Sequence, residues 1–180
     1  MSKKTVLGFF DECSPQTTAN TQRMWSFEST PLVKNTTKIR ANTFGILAVN
    51  GTSIVTFRER SKQEDIREVL KAYKQANPNK RLIIVLDNFS SHHAILVKNY
   101  AAGNTIHLVH IPPYSPDLNP IEQLWRAIKR EVSATFITGY EHLAATIARV
   151  FKKLATKKRY WEKWVKTFLS AKYASKMLSK

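Results

Sequence analysis

The sequence predicts an α/β domain built on a mixed five-stranded sheet flanked by helices, with extra helices at its C-terminal end. Three observations carry that prediction. Two short apolar runs rich in β-formers flank Asn50-Gly51, a dipeptide that favours a hairpin turn. Two further apolar runs, Arg81 to Leu86 and Thr105 to Ile111, are separated by segments of helical character. The order strand, hairpin, helix, strand, helix, strand, helices fits a meander joined to helix-separated parallel strands.

The elements follow in chain order. Thr5 to Phe10 is a strand that stops at Asp11-Glu12. Ser14 to Asn42 is polar and irregular, with Trp25 among its isolated apolar residues. Thr43 to Val49 and Thr52 to Phe57 form the hairpin. Ser61, with Glu64 three residues on, predicts a capping box opening a helix, whose apolar stripe is Ile66, Val69, Leu70 and Tyr73. Arg81 to Leu86 is continuously apolar, as expected of a strand buried on both faces, and Asp87 follows it directly. Ala94 to Tyr100 reads as helix with Gly103 as its C-cap. Asn119 is predicted to cap a helix with Pro120 at its first position; that helix carries Ile121, Leu124, Trp125, Ile128 and Val132 along one side. Two more helices are expected, at about 140–154 and 160–178. The whole is read as one domain over 1–180, with a core at about 4–135 and a basic helical extension at about 140–180.

Composition narrows the function. The chain has 180 residues, 29 Lys and Arg against 13 Asp and Glu, and a net charge of +16. At 43% hydrophobic it can bury a real core. With the single cysteine Cys13 a disulfide framework is excluded, and a reducing compartment is expected. Runs such as Leu82 to Leu86 fall far short of the about 20 residues of a membrane span, so no membrane partner is expected. The N-terminal apolar run ends at Asp11 without a small-residue cleavage site, so no signal peptide is expected. Such an excess of positive charge points to a polyanionic partner, nucleic acid foremost.

In so basic a chain the acids are informative. Asp11 and Asp87 each end an apolar strand, and Glu122 stands in the first turn of the helix that Asn119 opens. If the first and fourth strands are parallel neighbours, the two aspartates leave the same sheet edge, where open α/β sheets bind ligands. A helix returning over that edge brings Glu122 to the same point. Three carboxylates so gathered repel one another unless a cation lies between them. Magnesium, a hard ion that keeps waters for phosphate substrates, suits them. Two such ions about 4 Å apart can drive an in-line phosphoryl displacement. Against this, Asp is a common turn residue after a strand, Glu122 can complete a capping box with Asn119, and Glu12 is as acidic and as close to the strand end as Asp11.

Two longer motifs carry a family resemblance. Leu86-Asp87-Asn88-Phe89-Ser90-Ser91-His92-His93 resembles the second catalytic block of mariner-superfamily transposases. The stretch Ile111-Pro112-Pro113-Tyr114-Ser115-Pro116-Asp117-Leu118-Asn119-Pro120-Ile121-Glu122-Gln123-Leu124-Trp125 resembles their third. The 34 residues between Asp87 and Glu122 match the spacing of many insertion-sequence members, and Phe9-Phe10-Asp11-Glu12 resembles the first block. The likeness spans roughly Thr5 to Val132, and Trp25 and the Asn50-Gly51 hairpin fall where relatives place such features. It implies a ribonuclease H-like fold, shared with retroviral integrases, and a DDE transposase catalytic domain. It implies metal-dependent DNA strand cleavage and strand transfer, with Asp11, Asp87 and Glu122 holding two Mg²⁺ ions, for which Mn²⁺ can substitute. It also implies transposon ends and target DNA as partners, a homodimer assembled on DNA, and a nucleoid-associated cytoplasmic location in a prokaryote. Asn88, His93 and Asn119 take supporting or DNA-contacting positions by the same likeness. The ten residues before Asp11 have no room for the helix-turn-helix region that reads transposon ends in this group, so binding by this sequence is expected to be largely non-specific and salt-sensitive.

The remaining features weigh less. Arg126, Lys129 and Arg130 share the helix of Glu122 and are candidates for DNA contacts beside the site. Lys157, Lys158 and Arg159 belong to a tail, Lys152 to Lys180, with ten Lys or Arg and one acid, which positions DNA without reading it. Its aromatic residues at helical spacing read as core more readily than as a base-stacking platform. His107 and His110 are three apart on a strand and point to opposite faces, so zinc is not expected. Cys13 has no role in the implied chemistry. Two other readings stay open: a catalytically silent DNA-binding remnant, and a ribonuclease H-like nuclease acting on hybrids or junctions.

Overall fold

The central strand of the sheet is β1, Thr5–Cys13, which in the computed structural model has β2, Thr43–Ala48, antiparallel on one side and β4, Arg81–Leu86, parallel on the other. The structure describes residues 4–18, 35–113 and 115–169. β3, Ile54–Phe57, extends the antiparallel side and β5, Ile106–His110, the parallel side, giving the order β3-β2-β1-β4-β5. The mixed five-stranded sheet is therefore as the sequence predicts.

Helices cover both faces. α1, Gln63–Ala76, and α2, Ile95–Gly103, lie on one. α3, Ile121–Ala134, α4, Tyr140–Ala155, and α5, Glu162–Phe168, lie on the other. The pleat sorts β1 between them. Val6 and Phe10 pack with Ile66, Leu70 and Tyr73, whereas Leu7 and Phe9 pack with Leu124, Ile128, Leu143 and Phe151. Each fully buried Phe here stabilises the fold by about 2–3 kcal/mol. β4 is buried on both sides, Leu82, Ile84 and Leu86 toward α1 and Val85 toward α3. The stripe predicted for α3 is buried at all five positions.

Several local expectations change. β1 runs on to Cys13, because Asp11, Glu12 and Cys13 still pair with Gly45, Phe44 and Thr43 of β2. The hairpin forms, but its connection spans residues 49–53, not a two-residue turn. Asn50 turns inward there: its Nδ2 donates to Thr5 O at 2.8 Å and its Oδ1 accepts from Leu7 N at 3.0 Å. Gly51 is needed for space, since a Cβ would lie 2.6 Å from both Asn77 Oδ1 and Val6 Cγ1. The helix predicted from Ser61 is capped by Lys62, whose N–H donates to Asp65 Oδ2 at 3.1 Å, so Ser61 and Glu64 form no capping box. Gly103 is the last residue of α2 and Asn104 its cap. The last predicted helix is broken: a 3₁₀ turn, Lys158–Tyr160, precedes α5, and residues beyond 169 lie outside the described ones, as do Trp25 and Tyr114.

Candidate active site

Strand register brings the first two acids together. Phe9 of β1 pairs with Val85 of β4, so continuing two places sets Asp11 opposite Asp87 at the carboxyl edge of the two parallel strands. The same pleat separates Asp11 from Glu12. Asp11 shares the face of Phe9 and looks toward α3; Glu12 shares the face of Phe10 and looks toward α2. The ambiguity between these adjacent acids is thus resolved by which face α3 covers. Asp11, Asp87 and Glu122 line one cleft of about 450 Å³, with Asn88, Ile111, Pro112, Pro113, Ser115 and Pro116 of the connector, and Asn119.

The charges in that cleft are strained. The Asp11 pKa is pushed up to about 8, first by burial and then by the negative charges of Glu122 and Asp87. The Trp125 indole N–H, buried under Asp11, lowers that value somewhat, yet its geometry gives it no hydrogen-bond partner. Trp125 fits there because β2 has Gly45 opposite Asp11; a Cβ at Gly45 would lie 2.7 Å from the Trp125 ring and 2.9 Å from Phe151.

Asp87 is held differently. His92, 2% exposed, has Nδ1 2.7 Å from Asp87 Oδ1 and Nε2 3.2 Å from Glu12 Oε1. Burial alone would lower its pKa, but the bonds to the two carboxylates outweigh it and carry the value to about 9, so His92 is an imidazolium clamped between two acids. Its bond is the main reason the Asp87 carboxyl lies below its ordinary range. Phe89 N also donates to Oδ1, at 3.2 Å. Oδ2 takes no hydrogen bond from a described residue. The 3₁₀ turn Ser90–His93 aims His92 inward, against Phe10 and Phe89, and leaves His93 stacked on His110 with ring centroids 4.0 Å apart. Asn88 donates from Nδ2 to Ile111 O and accepts at Oδ1 from His93 Nε2 at 3.0 Å. His110 donates from Nδ1 to the Asp87 carbonyl at 3.1 Å. Sequence reasoning weighed Glu12 only as a rival to Asp11 and quoted His92 only within a motif; spacing gives no signal for their contact across 80 residues.

Asn119 does not cap α3, whose first turn is preceded by Pro120. It is 3% exposed and donates from Nδ2 to Phe10 O at 2.9 Å, fastening the connector to the residue before Asp11. Its Oδ1 is buried without a partner, beside the cleft. α5 supports the same connector: Trp164 Nε1 donates to Leu118 O at 2.8 Å, and its ring meets Phe9 edge-on at 4.8 Å. Of the tail stripe, Trp161 and Val165 are core, as expected, whereas Phe168 is 53% exposed.

The basic candidates are spread out. Arg126, Lys129 and Arg130 are exposed on α3, and Lys129 reaches the Cys13 thiol, whose pKa burial raises to about 11. Lys157, Lys158 and Arg159 are exposed after α4, where Arg159 folds back, Nη2 to Tyr160 Oη at 3.0 Å. Among the described residues, no three His, Cys, Asp or Glu side chains form a ready cage. The donors that line the cleft are all oxygens: three carboxylates and the unpartnered Oδ1 of Asn119. That set, with Asp11 forced toward protonation by burial and by its acidic neighbours, fits a hard divalent cation.

The chain is similar to known proteins in sequence and in fold. A family model described as DDE superfamily endonuclease matches residues 6–144. The Tcb1 transposase of Caenorhabditis briggsae is 28% identical over 102 residues, 56% of this chain and 37% of that one. The Tc1 transposase of Caenorhabditis elegans is 30% identical over 80 residues, 44% of this chain and 29% of that one. The chain thus spans about a third of the length of these relatives. Among solved structures, the catalytic domain of Mos1 mariner transposase is similar at TM-score 0.54 and 18% identity, covering 92% of this chain and 82% of that one. The Mos1 mariner paired-end complex with Mn is similar at TM-score 0.59 and 18% identity, over 89% and 54%. The fold is ribonuclease H-like.

Proposed function

The chain belongs to the DDE superfamily endonuclease family, and from that premise we propose that it is the catalytic part of a Tc1/mariner-type transposase, cutting DNA strands and joining the freed 3′ ends to target DNA. The observation that supports this most directly is the shared cleft of Asp11, Asp87 and Glu122 at the carboxyl edge of the parallel strands. Those three would hold two Mg²⁺ ions, or Mn²⁺ in their place. When bound, the ions lower the pKa of a nucleophilic water or hydroxyl and stabilise the leaving oxygen.

The chain's own groups supply position and charge. His92 and Phe89 N take up Oδ1 of Asp87 and leave Oδ2 to the cleft. Asn119 fixes the start of α3, and so Glu122, against β1. Ile111, Pro112, Pro113, Ser115 and Pro116 wall one side of the cleft and limit the approach of a phosphodiester. Two copies acting on paired ends belong to the same proposal, by analogy with the paired-end complexes of Mos1.

A nicking assay on supercoiled and transposon-end DNA, with Mg²⁺ or Mn²⁺, tests the reading. Asp87→Ala and Glu122→Ala are expected to abolish nicking while leaving DNA binding largely intact. Nicking by either variant at the wild-type rate would refute the assignment. DNA binding by the wild type without nicking in Mn²⁺ would make the chain a silent remnant, and preferential cleavage of RNA–DNA hybrids would make it a nuclease of another kind.

A further inference from the structure

The acidic cleft lies on the β4 side of β1. On the β2–β3 side, beyond the same end of the sheet, is a second open pocket of about 640 Å³ lined by Arg40, Asn42, Arg58, Glu59 and Tyr140. Asn42 organises it. Its Oδ1 accepts from Arg40 Nε at 3.1 Å, Arg40 Nη2 at 2.9 Å and Ser14 Oγ at 2.8 Å. Its Nδ2 donates to Glu59 O at 2.7 Å, and its own carbonyl accepts from Arg58 N at 3.1 Å. One residue therefore binds the Arg40 guanidinium and the main chain of Arg58, which lie 18 positions apart in the sequence.

Those groups are left without an anion. Arg58 Nε is buried and has no hydrogen-bond partner among the described residues. Arg40 uses Nε and one N–H of Nη2 on Asn42, so Nη1 stays free to donate. Neither arginine makes an ion pair among the described residues, although the exposed Glu59 carboxylate is at hand. Leaving a buried N–H donor unsatisfied costs about 1–3 kcal/mol, and a planar fork of N–H groups is matched by two oxygens of one anion. Tyr140 adds a hydroxyl at the start of the 16-residue α4, whose N-terminal dipole also favours negative charge.

We propose that this pocket seats a backbone phosphate of the DNA whose strand is cut at Asp11, Asp87 and Glu122. The proposal rests on the DNA-cleaving reading above. Position identifies the ligand as the DNA itself and not a separate anion. Gly45 of β2 pairs with both Asp11 and Val55, and Arg58 is three residues beyond Val55. Two strand spacings and three residues of rise put Arg58 on the order of 15 Å from Asp11. Duplex phosphates recur every 3.4 Å of axis on each strand, so the pocket meets a phosphate about four base pairs from the cut. Lys129, beside Cys13 at the end of β1, stands on the same route.

The test compares wild-type chain with Arg40→Gln, Arg58→Gln, Arg58→Lys and the control Lys71→Gln, which lies on α1 across the sheet. Anisotropy of a labelled 30-base-pair duplex is followed from low to high salt without divalent metal. The doubly neutralised Arg40→Gln/Arg58→Gln protein is expected to bind about tenfold more weakly at low salt, with the log–log salt slope reduced by about 1 or more. Arg58→Lys is expected to keep the slope, and Lys71→Gln to bind as wild type. Unchanged affinity and slope in the double variant would overturn the proposal. So would a salt slope reduced equally in Arg58→Lys and Arg58→Gln, which marks packing, or an equal loss in Lys71→Gln, which marks general charge. Nicking by the same samples separates the two readings: if the wild type binds but never nicks while the double variant still binds more weakly, the activity fails and the phosphate seat stands.

Discussion

The two flanks of β1 end in opposite electrostatics. On the β4 side, three carboxylates share a cleft, and the main influences on Asp11 are burial and two other acids, with no lysine or arginine among them. On the β2–β3 side, two arginines have no carboxylate partner among the described residues. In a chain with 29 Lys and Arg this separation is informative. A guanidinium within a few ångströms of Asp11 would neutralise it and take the place a divalent ion needs. A carboxylate locked onto Arg58 would close the seat to phosphate. Chemistry and grip are kept apart by two strand spacings so that neither cancels the other.

The largest expected effect tests that division directly. Asp87→Asn should lower metal-dependent nicking at least about a thousandfold, the scale of losing an essential charge at a reacting centre, while duplex affinity in metal-free buffer stays at the wild-type value or rises. Arg40→Gln should show the reverse pattern, weaker binding with the maximal nicking rate retained at saturating DNA. If both variants lost both properties together, the two flanks would be one functional surface and the comparison would fail.

The next effect is at the clamp between the flanks' two faces. His92→Gln should lower nicking about 10–100-fold and raise the metal concentration needed for half-maximal rate, as expected when a group that orients a metal-holding carboxylate is lost. Glu12→Gln should follow in the same direction and more weakly. A fall in rate with no change in metal requirement would assign His92 to folding alone. The clamp also has a pH signature. The His92 pKa is raised from 6.5 to about 9, so its stabilisation is complete below about 6.5 and is lost as pH rises through 9. In metal-free buffer the wild-type melting temperature should decline across that window, and that of His92→Gln should decline less and level off near pH 8, where the contribution of the raised Asp11 pKa ends.

A smaller loss is expected beneath the cleft. Gly45→Ala drives a methyl into Trp125 and Phe151, which are fixed by the packing of α3 and α4, and overpacking of this kind costs about 1–3 kcal/mol. Urea unfolding measures it. Because the displaced ring lies under Asp11, nicking should fall as well, whereas Gly51→Ala, which crowds Asn77 and Val6 at the other end of β1, should cost stability with little effect on rate.

Much of this was legible in the sequence, and the parts that were not share a cause. β4 and α3 were readable because their patterns are local: a continuous apolar run, and an i, i+3, i+4, i+7 stripe. The three acids were readable because each ends or begins such an element. That β1 and β4 are parallel neighbours, which sets Asp11 opposite Asp87, stood in the sequence only as a condition, because pairing between strands more than 70 residues apart leaves no local pattern. Asn119 misled, since an Asn before Pro looks like a cap, and its side chain instead spans 109 residues to Phe10. His92 and His93 differ by one position, and only the 3₁₀ turn decides which is buried. Arg40 and Arg58 are joined by a hairpin whose connection is longer than Asn50-Gly51 suggested, so no local motif marks them.

The smallest effect probes how far the C-terminal helix reaches into the site. Trp164 joins α5 to the connector through one hydrogen bond, Nε1 to Leu118 O at 2.8 Å, and through its edge against Phe9. Trp164→Phe keeps an aromatic ring but strands the Leu118 carbonyl, a loss of about 1 kcal/mol. Leu118 immediately precedes Asn119, whose bond to Phe10 sets α3 against β1. The connector should therefore loosen without detaching, and nicking should fall only a few-fold with duplex affinity unchanged. A loss as large as that of His92→Gln would mean that α5, and not Asn119, holds Glu122 in place. No loss of stability would mean that the connector stands on Asn119 alone.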